Sequence, residues 1–339
     1  MKVVVVSTSY PRDERDAAGA FVRDGVEALR AEGVAVEVVS PATVPHFGVA
    51  YGAGIPENLR SAPWKAPLVP AFLGSLALAA RRAAVGADLV HAHWLPSGFA
   101  ARATGRPYAV QLWGTDAELA RRFPWAFRGV VRGARLALCA SAPLAEAARS
   151  LGAPDVEVVP AGVTIPADVG PADEPPHALY VGRLSEEKGV LELAEAAKDL
   201  PLVVVGDGPL RASLPPSAHV VGFVPPSEVG AHLERAAVVV CPSRREGYGI
   251  VARQALAYGR PVVASDVGGL PDVVQDGQTG LLVSPREPAT LRAAVERLLG
   301  DAELRQRLGA AGRALARERL GLEAAAQATI AAYERALGR

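Results

Sequence analysis

The segment HALYVGRLSEEKG, residues 177–189, contains the pattern that decides the fold. A short apolar run, HALYVG, is followed by a charged turn and then by a helical stretch that begins near Gly189. A run that is apolar on both faces is typical of a parallel strand covered by helices on both sides of its sheet. Apolar runs and alanine-rich stretches alternate in the same way along the rest of the chain, so we predict an α/β protein built on parallel sheets.

The apolar runs form two series, separated by a segment rich in proline and glycine. That segment, PAGVTIPADVGPADEPP at 160–176, has seven residues that are proline or glycine and no helical periodicity, which predicts an interdomain linker. The runs lie at 2–6, 34–40, 87–93, 107–113 and 134–140, and then at 177–182, 201–206, 218–223, 236–242, 260–265 and 279–284. Two such series predict two Rossmann-like, doubly wound parallel-sheet domains in tandem.

The domain limits follow from these two series. We predict an N-terminal domain at 1–163, a linker at 164–176, a C-terminal domain at 177–320 and a final helical segment at 321–339. The final segment comes after the last strand of the second sheet and is preceded by a break at Gly321. We therefore expect its helix to cross back and pack on the N-terminal domain.

Composition excludes several classes of protein. The 339 residues include 36 Lys and Arg and 36 Asp and Glu, so no overall positive field attracts nucleic acid, and any anion site must be local. Half of the residues are hydrophobic, which favours a globular protein over a disordered one. The two cysteines, Cys139 and Cys241, lie in apolar strand-like runs, and we predict reduced, buried thiols.

The N-terminal stretch and the most apolar segment bear on location. The opening MKVVVVSTSY is too short for a signal-peptide core, and no stretch approaches the roughly 20 apolar residues that span a bilayer. A reducing cytoplasm is the expected location. The segment 63–84, PWKAPLVPAFLGSLALAARRAA, has basic residues at its end and leaves two alternatives open, a helix on the membrane surface or a buried crossover helix.

The charged turn after the first run of the second series is a candidate anion site. Gly182 allows the backbone to turn closely, and Arg183 and Lys188 flank the start of the next helix. Two cations beside a helix N-terminus suit a phosphate or a diphosphate. The alternative is a solvated turn in which Glu186 and Glu187 simply pair with the cations.

Two further turns follow strands of the same series. In PSRREGYGIV, residues 242–251, two glycines expose backbone N–H groups, and Glu246 supplies an acceptor for sugar hydroxyls. The third turn, SDVGGLP at 265–271, is also rich in glycine. Because ligands bind at the carboxyl edge of open α/β sheets, these turns predict one crevice for a carbohydrate and a phosphate.

The order of these motifs resembles a known family. GRLSEEKG, VVVGDGPL, VGFVP and the run from CPSRREGYG to QTGLLV cover nearly all of 177–284. They are similar to the nucleotide-sugar domain of glycosyltransferase family 4, the group 1 retaining transferases of GT-B fold. The first half resembles the family more loosely, through AAGAFV at 17–22, HAHWLPSG at 91–98 and LWGTD at 112–116. The resemblance implies two Rossmann-like domains that face each other across a cleft.

The resemblance also implies roles for individual residues. Arg183 and Lys188 would hold the diphosphate and neutralise the charge that grows on the leaving group, and Glu246 would hold the transferred sugar. Gly19 would approach the diphosphate, and His93 would face the donor sugar and the acceptor, although a satisfied histidine at a strand end is the alternative for His93. The remaining substrate-binding positions, which act largely through their backbone, are Gly114, Gly182, Val224, Gly247, Tyr248, Gly249 and Ile250.

Two positions depart from the family's pattern. Gln254 occupies the place of a second glutamate that bonds the ribose hydroxyls, so we expect a weaker, neutral hydrogen bond there. Trp113 precedes Gly114 where the family often has histidine, which places a donor-sugar contact in doubt; the indole would instead stack on a sugar face.

The implied activity is transfer of a sugar, with retention, from a nucleoside diphosphate sugar, such as a UDP- or GDP-sugar, to an acceptor glycan, glycolipid or small molecule. No Asp-x-Asp motif occurs, so cations would replace a metal ion, and no cofactor and no nucleic acid partner are expected. Synthesis of a cell-surface polysaccharide or glycolipid is the expected role, in the cytoplasm or peripherally at the inner face of the membrane. Two alternatives remain, a non-catalytic sugar-nucleotide-binding protein and a dinucleotide-dependent oxidoreductase suggested by GDG at 206–208.

Overall fold

The computed structural model describes residues 1–51 and 55–339, and this part of the chain divides into two compact units. The first unit comprises Met1–Gly162 together with Leu322–Arg339, and the second comprises Val163–Gly321. The segment predicted as a linker belongs to the second unit. Val163 forms a β-bridge with Gly321, and the Arg313 guanidinium donates a hydrogen bond to the carbonyl of Pro166.

The first unit contains a six-stranded sheet in which every strand pair is parallel, in the order β2-β1-β3-β4-β5-β6. The strands are β1 Lys2–Ser7, β2 Ala35–Val39, β3 Leu89–His93, β4 Tyr108–Leu112, β5 Leu136–Cys139 and β6 Val156–Val158. Five of them match predicted runs. The sixth, β6, was not predicted, because a three-residue strand at the sheet edge, with no buried position, contains no apolar run.

Helices connect these strands and cover the sheet. They are α1 Ala20–Ala31, α2 Ile55–Ser61, α3 Val69–Ala83, α4 Ser97–Ala103, α5 Thr115–Arg122, α6 Pro124–Gly133 and α7 Ala142–Leu151. The last helix of the chain, α13 Leu322–Leu337, packs on α1 and contributes Ala326, Ala332 and Tyr333 to the core of this unit. The C-terminal helix therefore belongs to the same unit as the N-terminal strands.

The second unit also contains a six-stranded parallel sheet, in the order β12-β11-β10-β7-β8-β9. Its strands are β7 Ala178–Val181, β8 Leu202–Val205, β9 His219–Gly222, β10 Val238–Cys241, β11 Val262–Ser265 and β12 Gly280–Val283. Its helices are α8 Val190–Ala196, α9 Pro226–Arg235, α10 Ile250–Ala257, α11 Pro288–Gly300 and α12 Ala302–Arg319. All six predicted runs of the second series are strands, which confirms the predicted fold class.

The apolar segment at 63–84 is a crossover between β2 and β3. A 3₁₀ turn at Pro63–Leu68 leads into α3, whose Phe72, Leu76 and Ala80 are fully buried. The segment is therefore a crossover helix with one face in the core, while Leu78 on the same helix is 54% exposed and Trp64 before it is 70% exposed. Within the described residues, no helix is both long enough and apolar enough to cross a bilayer.

Both cysteines are buried and free, as the sequence predicts. Burial raises the pKa of the Cys139 thiol, and also that of the Cys241 thiol, to about 12. Both groups therefore stay protonated and unreactive at neutral pH.

Candidate functional site

The strand order of the second unit places two of the predicted turns side by side. The sheet order reverses between β7 and β10, and such a switch point opens a crevice at the carboxyl ends of the two strands. The turn at 182–189 follows β7, and the turn at 242–249 follows β10. The two turns are at least 53 residues apart in the sequence, yet both border the same crevice.

Backbone contacts hold these two turns together. The backbone N–H groups of Arg244 and Arg245 both donate to the carbonyl of Glu187, at 2.9 and 3.2 Å. Gly189 has φ 69°, and a Cβ atom there would collide with the carbonyl of Pro242. Glycine is required at this position because only it combines a left-handed backbone with so close an approach.

The third predicted turn joins them through one hydrogen bond. After β11, the N–H of Gly269 donates to the carbonyl of Glu246 at 3.1 Å. All three turns that the sequence singles out in this unit thus meet at Glu246 and Glu187.

An ion pair between Lys188 and Glu246 lies at the centre of this cluster. The Lys188 Nζ is 2.7 Å from Oε2 of Glu246, which also accepts from the Ser243 hydroxyl at 3.3 Å. The carboxylate side chain is 16% exposed and the lysine 27%. Burial alone would raise the pKa of Glu246, but the charge and hydrogen bond of Lys188, with the Gly249 N–H and Ser243, outweigh it and lower the pKa. The carboxylate therefore stays ionised and faces a single lysine.

The other charged groups of the first turn are paired differently. Arg183, with 63% of its side chain exposed, forms an ion pair with Glu187 one helical turn away. Glu186 pairs with Arg244, which also bonds the buried Glu192 at 2.6 Å. Arg183 is therefore an exposed cation that pairs within its own turn, as the alternative of a solvated turn expects. Lys188 instead pairs with Glu246 of the second turn.

The glycine-rich loop at 247–249 rests on a buried arginine that the sequence analysis missed. The Arg253 guanidinium donates to the carbonyl of Tyr248 and lies 3.9 Å from the centre of its ring. Both side chains are buried, so Tyr248 and Arg253 hold the loop by packing and by this hydrogen bond. An arginine at an otherwise apolar helix position was the available signal, because a buried cation needs acceptors.

The remaining predicted positions of this unit lie around the same edge. Gln254 follows Arg253 on α10 and is half-buried, and Ile250 begins that helix. Gly182 follows β7 with φ 154°, and its N–H donates to the carbonyl of Val205. Val224 lies just after β9, the far edge strand of this sheet.

In the first unit, the strand order reverses between β1 and β3, where Ser7 is paired with His93. Gly19, which precedes α1, lies at this end of the sheet with φ 74°, and a Cβ atom there would collide with the carbonyl of Ser9. The loop after β1 therefore needs glycine to begin α1 so close to the strand end. Gly19 and His93 are brought to the same switch point.

His93 is part of a buried aromatic cluster. Its Nδ1 accepts a hydrogen bond from the indole N–H of Trp113 at 3.3 Å, and the two rings are stacked 12° from parallel, 5.8 Å apart. The edge of Phe21 packs on the same indole at 4.6 Å. His93 and Phe21 pack on the indole, which is 9% exposed, and stacking of Trp113 on a sugar stays a prediction.

Asp116 fixes the loop that carries Trp113 and Gly114. Its Oδ1 accepts from the backbone N–H groups of Trp113, Gly114 and Ala117 at 2.9–3.1 Å, and its Oδ2 accepts from Leu95 at 3.2 Å. Burial raises the pKa of Asp116, and the four N–H groups oppose that rise. Asp116 lies in the first turn of α5 and was not predicted as a functional residue, although a carboxylate directly after a strand-to-helix turn favours bonds to the N–H groups of that turn.

His91 was also missed and lies directly behind His93. The two rings are 4.2 Å apart, and Nδ1 of His91 is 2.6 Å from the hydroxyl of Tyr333 on α13. Burial lowers the pKa of His91 to about 3, while burial and the neighbouring His91 lower that of His93 well below its usual value. Both imidazoles are therefore neutral at neutral pH.

Comparison with known proteins identifies the family. Residues 164–315 match the family described as glycosyl transferases group 1, and residues 18–165 match glycosyltransferase family 4. The chain belongs to the group 1 glycosyltransferases. This assignment replaces the oxidoreductase alternative considered for the GDG turn and makes the protein a glycosyltransferase.

Two relatives of this glycosyltransferase align with different shares of the chain. A putative teichuronic acid biosynthesis glycosyltransferase, TuaC of Bacillus subtilis, is 29% identical over 88% of this chain and 89% of its own length. The alpha-D-kanosaminyltransferase of Streptomyces kanamyceticus is 34% identical over 48% of this chain and 46% of its own. The similarity to the second relative thus extends over about half of each protein.

Solved structures show the fold of this glycosyltransferase. Sucrose-phosphate synthase from Thermosynechococcus elongatus superimposes with a TM-score of 0.80 at 22% identity, covering 99% of both chains. Anabaena HepE, solved in complex with UDP-glucose, gives a TM-score of 0.74 at 18% identity, covering 99% of this chain and 100% of that one. These matches confirm the two-domain, Rossmann-like GT-B fold.

Proposed function

We propose that this glycosyltransferase moves a sugar, with retention of anomeric configuration, from a nucleoside diphosphate sugar to an acceptor hydroxyl. The observation that carries the proposal is the ion pair between Lys188 and Glu246 at the junction of three glycine-containing turns. A cation for a diphosphate and an ionised carboxylate for sugar hydroxyls are adjacent there, as the two halves of a nucleotide sugar require.

Lys188 is assigned to the diphosphate. Its ammonium group is partly exposed and has three donor hydrogens, so it can bond a phosphate oxygen while it still faces Glu246. Charge develops on the diphosphate as the sugar leaves, and a fixed cation stabilises that charge without reorganisation. Arg183 is assigned to the same diphosphate and would exchange its ion pair with Glu187 for a phosphate oxygen.

Glu246 is assigned to the hydroxyls of the transferred sugar, together with the backbone groups of 247–250. Its lowered pKa keeps it an acceptor for hydroxyl protons and makes it a weak base. The carboxylate therefore orients the sugar, and Gln254 is assigned to the ribose.

Retention is explained by attack on the same face as the leaving group. The acceptor oxygen bonds to the anomeric carbon as the bond from that carbon to the phosphate oxygen breaks, and the acceptor proton passes to a phosphate oxygen. The nearby Cys241 thiol, with its pKa raised to about 12, does not supply a thiolate nucleophile. His93 of the first unit is assigned to the transferred sugar.

We propose a hexosyltransferase that needs no metal ion, because Lys188 and Arg183 supply positive charge to the diphosphate. Activity that survives a chelator would support this part of the proposal, and activity restored only by a divalent cation would refute it.

For the donor, UDP-sugars are the first candidates and GDP-sugars the second, since HepE was solved with UDP and with UDP-glucose. For the acceptor, the name of the B. subtilis relative supports a cell-surface polysaccharide or glycolipid.

We also propose a cytoplasmic location with peripheral contact to the inner face of the membrane through the first unit. Trp64 is 70% exposed beside Lys65, and Trp125 is 78% exposed beside Phe123, whose ring lies 5.5 Å from the Arg122 guanidinium. Exposed indoles beside cations suit an anionic interface. Flotation with anionic vesicles tests this, and a protein that stays in the aqueous fraction at low salt would refute it.

The competing function is that of a non-catalytic sugar-nucleotide-binding protein, which is favoured by the neutral Gln254. A thermal-shift screen of UDP-, GDP- and ADP-sugars would identify the donor, and release of the nucleoside diphosphate with water as the acceptor would then measure turnover. Stabilisation with release supports the enzyme, and stabilisation without release, with water or with added glycans, supports the binder.

A further inference from the structure

The hydrogen bond between Trp113 and His93 determines which imidazole nitrogen carries the proton. An indole N–H can only donate, so Nδ1 of His93 must accept it and cannot bear a hydrogen. A neutral imidazole has one proton, and in His93 it must lie on Nε2. Among the described residues, Nδ1 is the ring nitrogen of His93 that has a hydrogen-bond partner, and His93 lines a cavity of about 40 Å³ together with Phe21 and Trp113, so Nε2 is the nitrogen left for a ligand.

The indole is held so that this bond persists. The stacked His93 ring covers one side of it, and the edge of Phe21 packs on it at 67°. The Trp113 backbone N–H is fixed at 3.1 Å by the buried Asp116 carboxylate. Rotation of the indole would break the contacts with both rings, so its N–H stays directed at Nδ1.

His93 also stays neutral. Its ring is buried and packs against His91, whose Nδ1 is bonded to the buried Tyr333 hydroxyl. Burial and the neighbouring His91 hold the pKa of His93 well below its usual value, so a proton gained during catalysis would be unfavourable. A neutral imidazole that is a poor proton acceptor and has a fixed Nε2–H acts as a hydrogen-bond donor.

We propose that Trp113 is a positioning residue that fixes His93 in the Nε2–H tautomer, so that His93 donates a hydrogen bond to an oxygen of the transferred sugar and does not serve as a base. This inference rests on the proposed function, in which His93 contacts that sugar. It gives Trp113, the residue that departs from the family's histidine, a role that needs no direct sugar contact.

The tautomer can be tested by nitrogen NMR without any substrate. In protein labelled with ¹⁵N at histidine and tryptophan, His93→Gln assigns the His93 signals. We expect a protonated Nε2, an unprotonated Nδ1, and a coupling across the hydrogen bond between the indole nitrogen and Nδ1. A protonated Nδ1, or no such coupling, would overturn the inference even if the enzyme turned over.

A matched pair of variants tests whether the tautomer is used. Site-specific replacement of Trp113 by benzothienylalanine exchanges the indole N–H for sulfur in a ring of the same shape, and Trp113→Phe removes the same donor genetically. We expect a protonated-Nδ1 form of His93 to appear, and kcat for donor hydrolysis to fall roughly threefold to tenfold, the range for one neutral hydrogen bond. The KM for the donor and the Kd of the nucleoside diphosphate should change less than twofold.

The exposed Trp125→Phe is the control and should leave all of these values unchanged. An unaltered His93 spectrum, or an unaltered kcat, in the benzothienylalanine protein would contradict the role of Trp113. If the spectra are as expected but no donor is turned over by the wild-type protein, the proposed function fails and takes the catalytic use of His93 with it, while the tautomer assignment stands.

Discussion

Replacing Glu246 by glutamine should tighten binding of the nucleoside diphosphate and lower turnover. The substitution keeps the shape of a side chain whose Oε2 lies 2.7 Å from Lys188, but it removes the negative charge. In the wild-type protein, Lys188 divides its attraction between this carboxylate and the diphosphate of the donor. Without the carboxylate charge, the lysine faces the diphosphate alone.

The structure sets the size of both effects. At 2.7 Å and an effective dielectric constant of about 20, the gross attraction within the pair is roughly 6 kcal/mol. Dehydration offsets most of it, since the net value of a hydrogen bond to a charged group is about 1.5–3 kcal/mol. If the diphosphate recovers about 1 kcal/mol of that, its Kd falls roughly fivefold. Loss of the charged acceptor for sugar hydroxyls should lower turnover by roughly 10- to 100-fold.

Calorimetric titration of the nucleoside diphosphate measures the first effect, and donor hydrolysis under saturating donor measures the second. Glu303→Gln, an exposed carboxylate on α12, is the matched control and should alter neither. Binding in Glu246→Gln that weakens as much as in Lys188→Ala would refute the assignment of the two residues to different parts of the donor. Unchanged turnover would refute the sugar contact.

Three further predictions follow from single contacts. Lys188→Ala should lower turnover by roughly 10²–10³, as expected for a preorganised stabiliser of developing charge. Arg183→Ala should lower turnover less, because Arg183 is exposed and paired with Glu187. Equal losses of turnover would contradict this order. In the same calorimetric assay, Gln254→Glu should tighten nucleotide binding through a charged hydrogen bond to the ribose. Gln254→Ala should weaken nucleotide binding by about 0.5–1.5 kcal/mol. Identical affinities of the three proteins would exclude Gln254 from the ribose site. The first unit should lose stability as pH falls, because unfolded histidines bind protons below about 6.5 while the buried His91, with a pKa of about 3, does not. We expect a loss of about 2 kcal/mol from His91 between pH 7 and pH 5, and a further loss from His93, whose pKa is also lowered by burial. Urea unfolding followed by tryptophan fluorescence reports on this unit alone, since all four tryptophans lie in it. His91→Gln should reduce the pH dependence of the free energy of unfolding. Equal stability at both pH values would show that the histidines are not held neutral.

The sequence by itself determined the elements of the fold and the segments that carry the chemistry. Eleven of the twelve strands are visible as apolar runs, because strands inside a parallel sheet are buried on both faces and the edge strands β2 and β9 still contain several valines. The turns at 182–189, 242–249 and 265–271 are visible because glycine and charge directly after such a run are local properties of the chain. β6 was missed because its three residues, Val-Glu-Val, are too few to form such a run.

Only the tertiary structure decided which side chains are partners. Lys188 has Glu186 and Glu187 beside it in sequence but pairs with Glu246, 58 residues away, because the sheet order places β10 next to β7. Trp113 bonds His93 because β4 lies beside β3, and Tyr333 reaches His91 across 242 residues because α13 returns to the first unit. Spacing along the chain sets local geometry, whereas strand order and helix packing select contacts between distant residues, and a single sequence carries no direct record of that order.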